Sequence, residues 1–453
     1  MKILIIGAGE TGYFIAHELS EEEMDVVLID EKPQHLEALQ RSLNVGGVVG
    51  NGTSLNVLEQ AGIETCDYLI ACTDHDETNL ICCLIATQYK VPYKIAVTRT
   101  DSFLKRKLVQ RYLDSGVSQI INSSVVTAQE IVATATYASA TAVSLFGERN
   151  VLLIGYKLKP ENPWVGKPMK DIRQNHQGQE FLIASIVRGG ASFIPSGQDQ
   201  LETGDYLYIL ASKEESEKLD QILNTKIAYN RKAVVAGSGY IAQRVVQGLI
   251  HSHFQVTLIC DDLAQYHVLK TKFAHFEELT LVHGDAASVK LQLREDVATS
   301  ALFVAVGKRD QHNIATALVA KYLGASKTIA MVNRQDLVET ASLLEIDVIL
   351  SPRLSTARQV KKAMQGGQAD LNFTTISETD MEVREMVVSP NSPFVGIPLK
   401  DLTLPKDTLI GAVVDQANQV VIPHGNTVLA VGNRVIVVTM PESAQRLREL
   451  FEA

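Results

Sequence analysis

The chain is written twice, and this duplication restricts its possible folds more than any other feature. Lys2-Ile-Leu-Ile-Ile-Gly-Ala-Gly-Glu-Thr-Gly12 returns as Lys232-Ala-Val-Val-Ala-Gly-Ser-Gly-Tyr-Ile-Ala242, at a constant offset of 230. Pro163-Trp-Val-Gly-Lys-Pro-Met-Lys-Asp171 returns as Pro393-Phe-Val-Gly-Ile-Pro-Leu-Lys-Asp401 at the same offset. The duplicated unit is therefore a pair of different modules, and 453 residues accommodate several domains of ordinary size. The first glycine motif is complete and the second is not, so two nucleotide sites of unequal quality are expected.

Composition narrows the class. With 46% hydrophobic and 21% charged residues the chain is globular rather than disordered. Fifty-two acidic against 42 basic residues give a net charge of -10, with no Lys/Arg block to track a phosphate backbone, which argues against a nucleic-acid partner. No stretch reaches the roughly 18–20 apolar residues of a membrane span. Lys2 is followed at once by a strand-like run and a glycine turn, which is unlike a secretory signal. A soluble chain, at most peripheral to a membrane, is expected. The five cysteines lack zinc-ligand spacing and are odd in number, so they read as reduced thiols, with Cys82-Cys83 serving as small core filling. His251, His253, His267, His275 and His283 crowd one module but lack the spacing of a metal site.

Along residues 1–120, short Ile/Val-rich runs alternate with helical patterns. Ile3–Ile6, Val26–Ile29, Val45–Val49, Tyr68–Ala71 and Ile95–Val97 read as buried parallel strands. Gly12–Glu23, Pro33–Leu43, Ser54–Ala61 and Thr78–Tyr89 read as amphipathic helices, with Pro33 in a first turn and Ser54 as a cap. This rhythm predicts a doubly wound, Rossmann-like α/β domain. In it Gly7 makes the tight turn, Gly9 lets the backbone approach a pyrophosphate, and Gly12 allows close packing of helix on sheet. Ala8, Glu10 and Thr11 complete the loop. Asp30 ends the next strand, 18 residues after Gly12, where a carboxylate grips a ribose hydroxyl and disfavours a 2′-phosphate. That points to NAD(H) or an adenosine nucleotide. Asp30 also has a purely structural reading, as a cap for the helix near Pro33. Gly50-Asn51-Gly52-Thr53 and Thr73-Asp74-His75-Asp76 follow the third and fourth strands, and Arg99 follows the fifth. All lie at the carboxyl edge of the sheet, where open α/β folds bind ligands. Each also reads as a plain turn or a solvated charge.

These residues carry a resemblance. G-A-G-E-T-G at 7–12, Asp30, G-N-G-T at 50–53, T-D-H-D-E-T-N at 73–79 and Arg99 resemble the nucleotide-binding N-domain of RCK (regulator of conductance of K⁺) proteins. The tandem order, which spans the whole chain, is similar to the cytosolic gating subunits of Trk potassium-uptake systems. The resemblance implies N-domains at 1–123 and 230–350, crossover helices or linkers at 124–147 and 351–379, and small α+β C-domains at 148–224 and 380–453. It implies cofactor contacts from the glycine loop, Asp30, Glu31, Asn51, Gly52, Thr53, Thr73, Asp74, Asn79 and Arg99, with NAD(H) and also ATP or ADP as ligands. It implies a homo-oligomer, a tetrameric ring supplying eight N-domains, and a multi-span K⁺ transporter partner (TrkH/TrkG-like) reached from the cytoplasmic face. Asn51 departs from the acid usual in the family, although an amide can still hydrogen-bond there.

Residues 124–145 are small, apolar and nearly uncharged, as for a helix packed closely on a partner surface. In RCK proteins the corresponding helix crosses to a neighbouring N-domain; an intrachain connector is the alternative. The C-modules alternate apolar and polar residues around turns, at Ile186–Pro195 and Gly204–Leu210 and again at Val413–Pro423 and Gly432–Thr439. Neither carries paired carboxylates, a nucleophile elbow or a metal cluster. In the second N-module Ala242 takes the third glycine position, Cys260 takes that of Asp30, and Asp285 that of Asn51. A weaker second site is expected from Gly237, Ser238, Gly239, Tyr240, Ile241, Asp261 and Asp285. Two functional classes follow: a ligand-gated regulator, and a nicotinamide-dependent oxidoreductase, which would need an acid/base residue facing the cofactor.

Overall fold

All five runs expected as strands in the first module do form strands, and a sixth joins them. In the computed structural model, which describes residues 1–20, 24–137, 140–146, 150–175, 180–223, 231–341, 344–365, 372–375 and 381–452, the first N-domain begins with β1 (Lys2–Ile6), α1 (Glu10–Ser20) and β2 (Asp25–Asp30). Next come α2 (Pro33–Ser42), β3 (Gly46–Val49), α3 (Leu55–Gln60), β4 (Tyr68–Ala71) and α4 (Asp76–Gln88). It closes with β5 (Tyr93–Thr98), α5 (Arg106–Asp114), β6 (Gln119–Asn122) and α6 (Ser123–Thr136). The six strands are all parallel in the order β3-β2-β1-β4-β5-β6. This is a doubly wound sheet whose order reverses between β1 and β4, opening a crevice at their carboxyl ends. Pro33 lies in the first turn of α2 as expected, whereas Ser54 sits at the N-cap of α3 without a side-chain cap hydrogen bond. Glu21–Glu23, expected at the end of α1, fall outside the described residues.

The first C-domain comprises β7 (Ala140–Phe146), β8 (Val151–Lys157), α7 (Met169–Asn175), β9 (Phe181–Arg188), β10 (Ala191–Phe193), β11 (Tyr206–Ser212) and α8 (Lys213–Ile222). The segment 124–145 is therefore not one helix: α6 stops at Thr136, and Ala140–Phe146 is a strand paired antiparallel with β8. The Thr/Val alternation in Ala-Thr-Ala-Val-Ser-Leu-Phe suits a pleated, half-buried strand better than a helix. Ile186–Pro195, within the stretch expected to form strands around turns, contains a hairpin that turns at Gly189 and Gly190, both at positive φ.

The second N-domain comprises β12 (Lys232–Ala236), α9 (Tyr240–His251), β13 (Gln255–Cys260), α10 (Leu263–Lys272), β14 (Leu279–His283) and α11 (Val289–Arg294). It continues through β15 (Leu302–Ala305), α12 (Asp310–Leu323), β16 (Thr328–Met331), α13 (Gln335–Ala341), β17 (Val348–Leu350) and α14 (Pro352–Gln365). Its strand order, β14-β13-β12-β15-β16-β17, repeats the first. The second C-domain, β18 (Asn372–Thr375), β19 (Glu382–Val387), β20 (Thr408–Val414), β21 (Val420–Val421), β22 (Arg434–Thr439) and α15 (Pro441–Glu452), forms the sheet β18-β19-β22-β20-β21. Parts of the expected linkers at 124–147 and 351–379, and the junction at 224–230, lie outside the described residues.

Like modules associate across the duplication. Residues Met1–Val132 and Ala228–Met364 form one compact unit, and Ala133–Ile227 and Gln365–Ala453 form another. In the first unit, the face of the β1-β2-β4 sheet that carries Ile3, Ile5, Leu28 and Ile70 is covered by α1 and also by Ala357, Val360 and Met364 of α14. The exchange is reciprocal, because Val132 of α6 lies where a side chain on Gly248 of α9 would begin, 2.6 Å from a Cβ built there. Each crossover helix thus packs on the other repeat of the same chain. In the second unit Leu153, Tyr208 and Leu210 share one core with Val383, Ala412 and Ile436.

Candidate functional site

Two clefts open at the carboxyl edges of the two parallel sheets. The first, about 780 Å³, is lined by Gly7, Gly9, Glu10, Thr11, Asp30, Glu31, Asn51, Gly52, Thr73, Asp74 and Arg99. Chain reversal off β1 requires Gly7, whose φ is +104°. Gly9 has open space where a Cβ would be, so a ligand can approach its backbone closely. A methyl on Gly12, by contrast, would overlap the Gly7 carbonyl oxygen, so Gly12 closes the turn from behind rather than facing the cleft.

Asp30 holds this turn in place. Its Oδ2 accepts from the Ala8 amide at 2.7 Å and its Oδ1 from the Lys32 amide at 2.9 Å, with His35 Nδ1 3.3 Å away. The contact to Lys32, the N-cap residue of α2, tethers the carboxylate to the start of that helix, which has no side-chain cap hydrogen bond, and the contact to Ala8 ties it to the glycine loop. A carboxylate has about four lone-pair sites, so capacity remains for a ribose hydroxyl. Asn51 Nδ2 donates to Glu31 Oε1 at 2.9 Å, and Asn51 Oδ1 accepts from the Thr53 amide at 2.8 Å and the Thr53 hydroxyl at 2.6 Å. Thr53 thus supports Asn51 and is not among the lining residues.

Asn79 is fully buried. Its Oδ1 accepts from the Thr73 amide at 2.8 Å, while its Nδ2 donates to the carbonyls of Thr73 and Val97 at 3.0 and 2.8 Å. It pins the turn after β4 to β5 and leaves Thr73 at the cleft wall. Asp76, also buried, does the same one strand over, accepting from the Arg99 and Thr100 amides. Arg99 extends from that anchor, and its Nη1 meets Asp74 Oδ1 at 3.0 Å. Of the fifteen positions singled out in the first N-domain, Ala8, Gly12, Thr53 and Asn79 are supports rather than lining, while the others converge.

Residues of the second repeat complete this cleft: Ile241, Asn333, Pro352, Arg353 and Thr356. Ile241 is singled out by the sequence for the second glycine loop, whereas local motifs could not reveal Asn333, Pro352, Arg353 or Thr356, because only the tertiary exchange of α6 and α14 brings them there. Burial lowers the pKa of the Arg353 guanidinium from its usual value, and the side chain abuts Glu10, the first residue of α1. Lys32, His35 and His75 add further potential positive charge at the rim.

The second cleft, about 520 Å³, contains Gly237, Ser238, Gly239, Tyr240, Ile241 and Asp261, together with Lys308, Arg309 and His312. Asp285 is not among its lining residues; its exposed carboxylate lies 3.4 Å from Nε2 of His312, which is one of them. Cys260 is buried with its thiol 3.2 Å from the Asp262 carbonyl, and burial above all raises its pKa. No carboxylate therefore occupies the position of Asp30. Asn313 repeats Asn79, accepting from the Gly307 amide at 2.7 Å and donating to the Met331 carbonyl at 2.9 Å. Arg99 and Ile241 line both clefts.

Among the described residues no His/Cys/Asp/Glu group is arranged to hold a metal ion, and no helix is long and apolar enough to cross a membrane. All five cysteines are free and buried.

The family model described as the TrkA-N domain matches residues 3–123 and 233–352, and the TrkA-C domain matches 153–224 and 383–452. A protein of Halomonas elongata named "Trk system potassium uptake protein TrkA" is 29% identical over 454 residues, covering 99% of this chain and 98% of that protein. A homologue so named from Archaeoglobus fulgidus is 29% identical over 451 residues and covers all of both chains. Among solved structures, the GsuK channel aligns with a TM-score of 0.63 at 17% identity, covering 100% of this chain and 79% of that one. A GsuK structure described as bound to NAD aligns at 0.60, also at 17% identity and with the same coverage. These structural likenesses establish the shared fold.

Proposed function

The chain belongs to the family built of TrkA-N and TrkA-C domains, and on that footing we propose that it is the nucleotide-sensing gating subunit of a potassium-uptake system. In this reading it binds NAD(H), and also ATP or ADP, in the first cleft and controls a separate multi-span K⁺ transporter of the TrkH/TrkG kind. The observation that carries it is the first cleft itself, where an open Gly9 backbone, the N-terminus of α1 and the Asp30 carboxylate lie together. Amides at a helix N-terminus bind phosphate, and a carboxylate at the end of the second strand binds a ribose.

The same cleft supplies a means of control. Its walls come from both repeats, so a ligand touching Arg99 on one side and Asn333 or Arg353 on the other binds best in one arrangement of the two N-domains. A ligand shifts a conformational equilibrium by its difference in affinity for the two states. We propose that four chains form a ring of eight N-domains at the cytoplasmic face of the membrane, and that this shift is passed to the transporter. The second cleft binds more weakly or prefers another ligand, because Cys260 replaces the ribose-binding carboxylate.

The test is calorimetric titration of NADH, ADP and ATP into the full chain and into Asp30→Ala. Loss confined to one class of sites supports the reading; equal loss from both sites, or none, defeats it. Mixing with NADH and candidate substrates checks the oxidoreductase alternative, which requires a fall in NADH absorbance with turnover.

A further inference from the structure

Arg353 brings a partly buried guanidinium, paired with Glu10, to the wall of the first cleft. It is the second residue of α14, and its guanidinium reaches the first residue of α1, so it lies near two helix N-termini, where partial positive charge already gathers. Its Nη1 is buried and is ion-paired with the Glu10 carboxylate. Burial disfavours its charged form. A guanidinium kept in such a place gains most from an anion with several oxygens, which can accept its fork of donors.

The feature is not duplicated. In the first repeat the position matching Arg353 is Ser124, whose hydroxyl donates to the Arg99 carbonyl at 2.9 Å, and the position matching Glu10 is Tyr240 in the second. The second cleft receives Arg99 from the opposite repeat, but among the described residues it is at the first cleft that a cation of the opposite repeat, Arg353, meets the residue following the second glycine of the loop, Glu10.

We infer that Arg353 of the second repeat is a phosphate-binding, specificity-determining residue of the first cleft, making affinity rise with the number of phosphates on the nucleotide. Glu10 holds the guanidinium at the glycine loop and yields it to the ligand. This rests on the nucleotide reading of the cleft. It adds that α14, whose Val360 and Met364 are buried in the first repeat's core, senses the phosphates directly.

The test titrates adenosine, AMP, ADP and ATP into the full chain and into Arg353→Ala, Arg353→Gln and Glu10→Gln. Arg353→Gln keeps the side-chain stem, should truncation impair folding. Wild-type affinity is expected to climb from adenosine to ATP. Both Arg353 variants should bind ATP about tenfold or more weakly with adenosine unchanged, as expected for losing charge-assisted hydrogen bonds. Glu10→Gln should tighten ATP binding by removing the competing carboxylate. Equal losses for adenosine and ATP would show a packing role and overturn the inference, as would unchanged ATP binding. If Asp30→Ala weakens adenosine binding while the Arg353 variants match wild type, only this inference fails; if wild type binds none of the four ligands, the reading of the cleft fails with it.

Discussion

Asp30 bonds the amides of Ala8 and Lys32, so one carboxylate joins the glycine loop to the start of α2. Replacing it by alanine removes two charge-assisted hydrogen bonds, each worth about 1.5–3 kcal/mol. We expect Asp30→Ala to lower the melting temperature as well as nucleotide affinity, whereas a change at solvent-exposed Glu31 should affect binding alone; thermal unfolding of the two variants separates these effects. The buried thiols give a second prediction. Burial pushes Cys66 from its ordinary 9.0 to about 11, and Cys72 and Cys82 to about 12. Unfolded thiols ionise near 9 while folded ones stay neutral, so this contribution to stability is intact below pH 9 and is lost as the pH rises from 9 towards 12. Alkylation should accordingly be slow at pH 8–9 in the native chain and fast in denaturant, as mass spectrometry would show.

The exchanged helices set the next scale. Five strands and four helices of the first N-domain are legible in their own segments, because a buried parallel strand is a short Ile/Val run and a helix repeats its apolar residues every three or four positions; α5 and β6 are not. The sequence predicts α6 longer than it is, since small residues with threonine and valine suit either state and only pairing with β8 decides for β7. The destination of α14 could not be read at all, because its partner face comes from a strand set about 350 positions earlier. Gly248 tests the exchange: its missing side chain admits Val132, so Gly248→Leu should force α9 and α6 apart and cost about 1–3 kcal/mol, measured by chemical denaturation. A null effect would mean that α6 does not rest there.

At the scale of the whole molecule, the N-domains share one unit and the C-domains another, so the chain should unfold in two cooperative steps. A ligand that binds only the folded N-unit stabilises it by about 2.7 kcal/mol at a hundredfold excess over its dissociation constant. Calorimetry should show saturating nucleotide moving one transition and leaving the other in place; movement of both by the same amount would contradict this assignment. The duplication, the parallel sheets, the glycine loop with Asp30, and the drift of the second loop to Ala242 and Cys260 were all written in the sequence, because backbone turns and strand ends depend on residues close together in the chain. The pairing of like modules, the support roles of Asn79 and Asp76, and the arrival of Arg353 at Glu10 were decided only by the tertiary structure, because apolar faces choose partners by shape and burial rather than by distance along the chain.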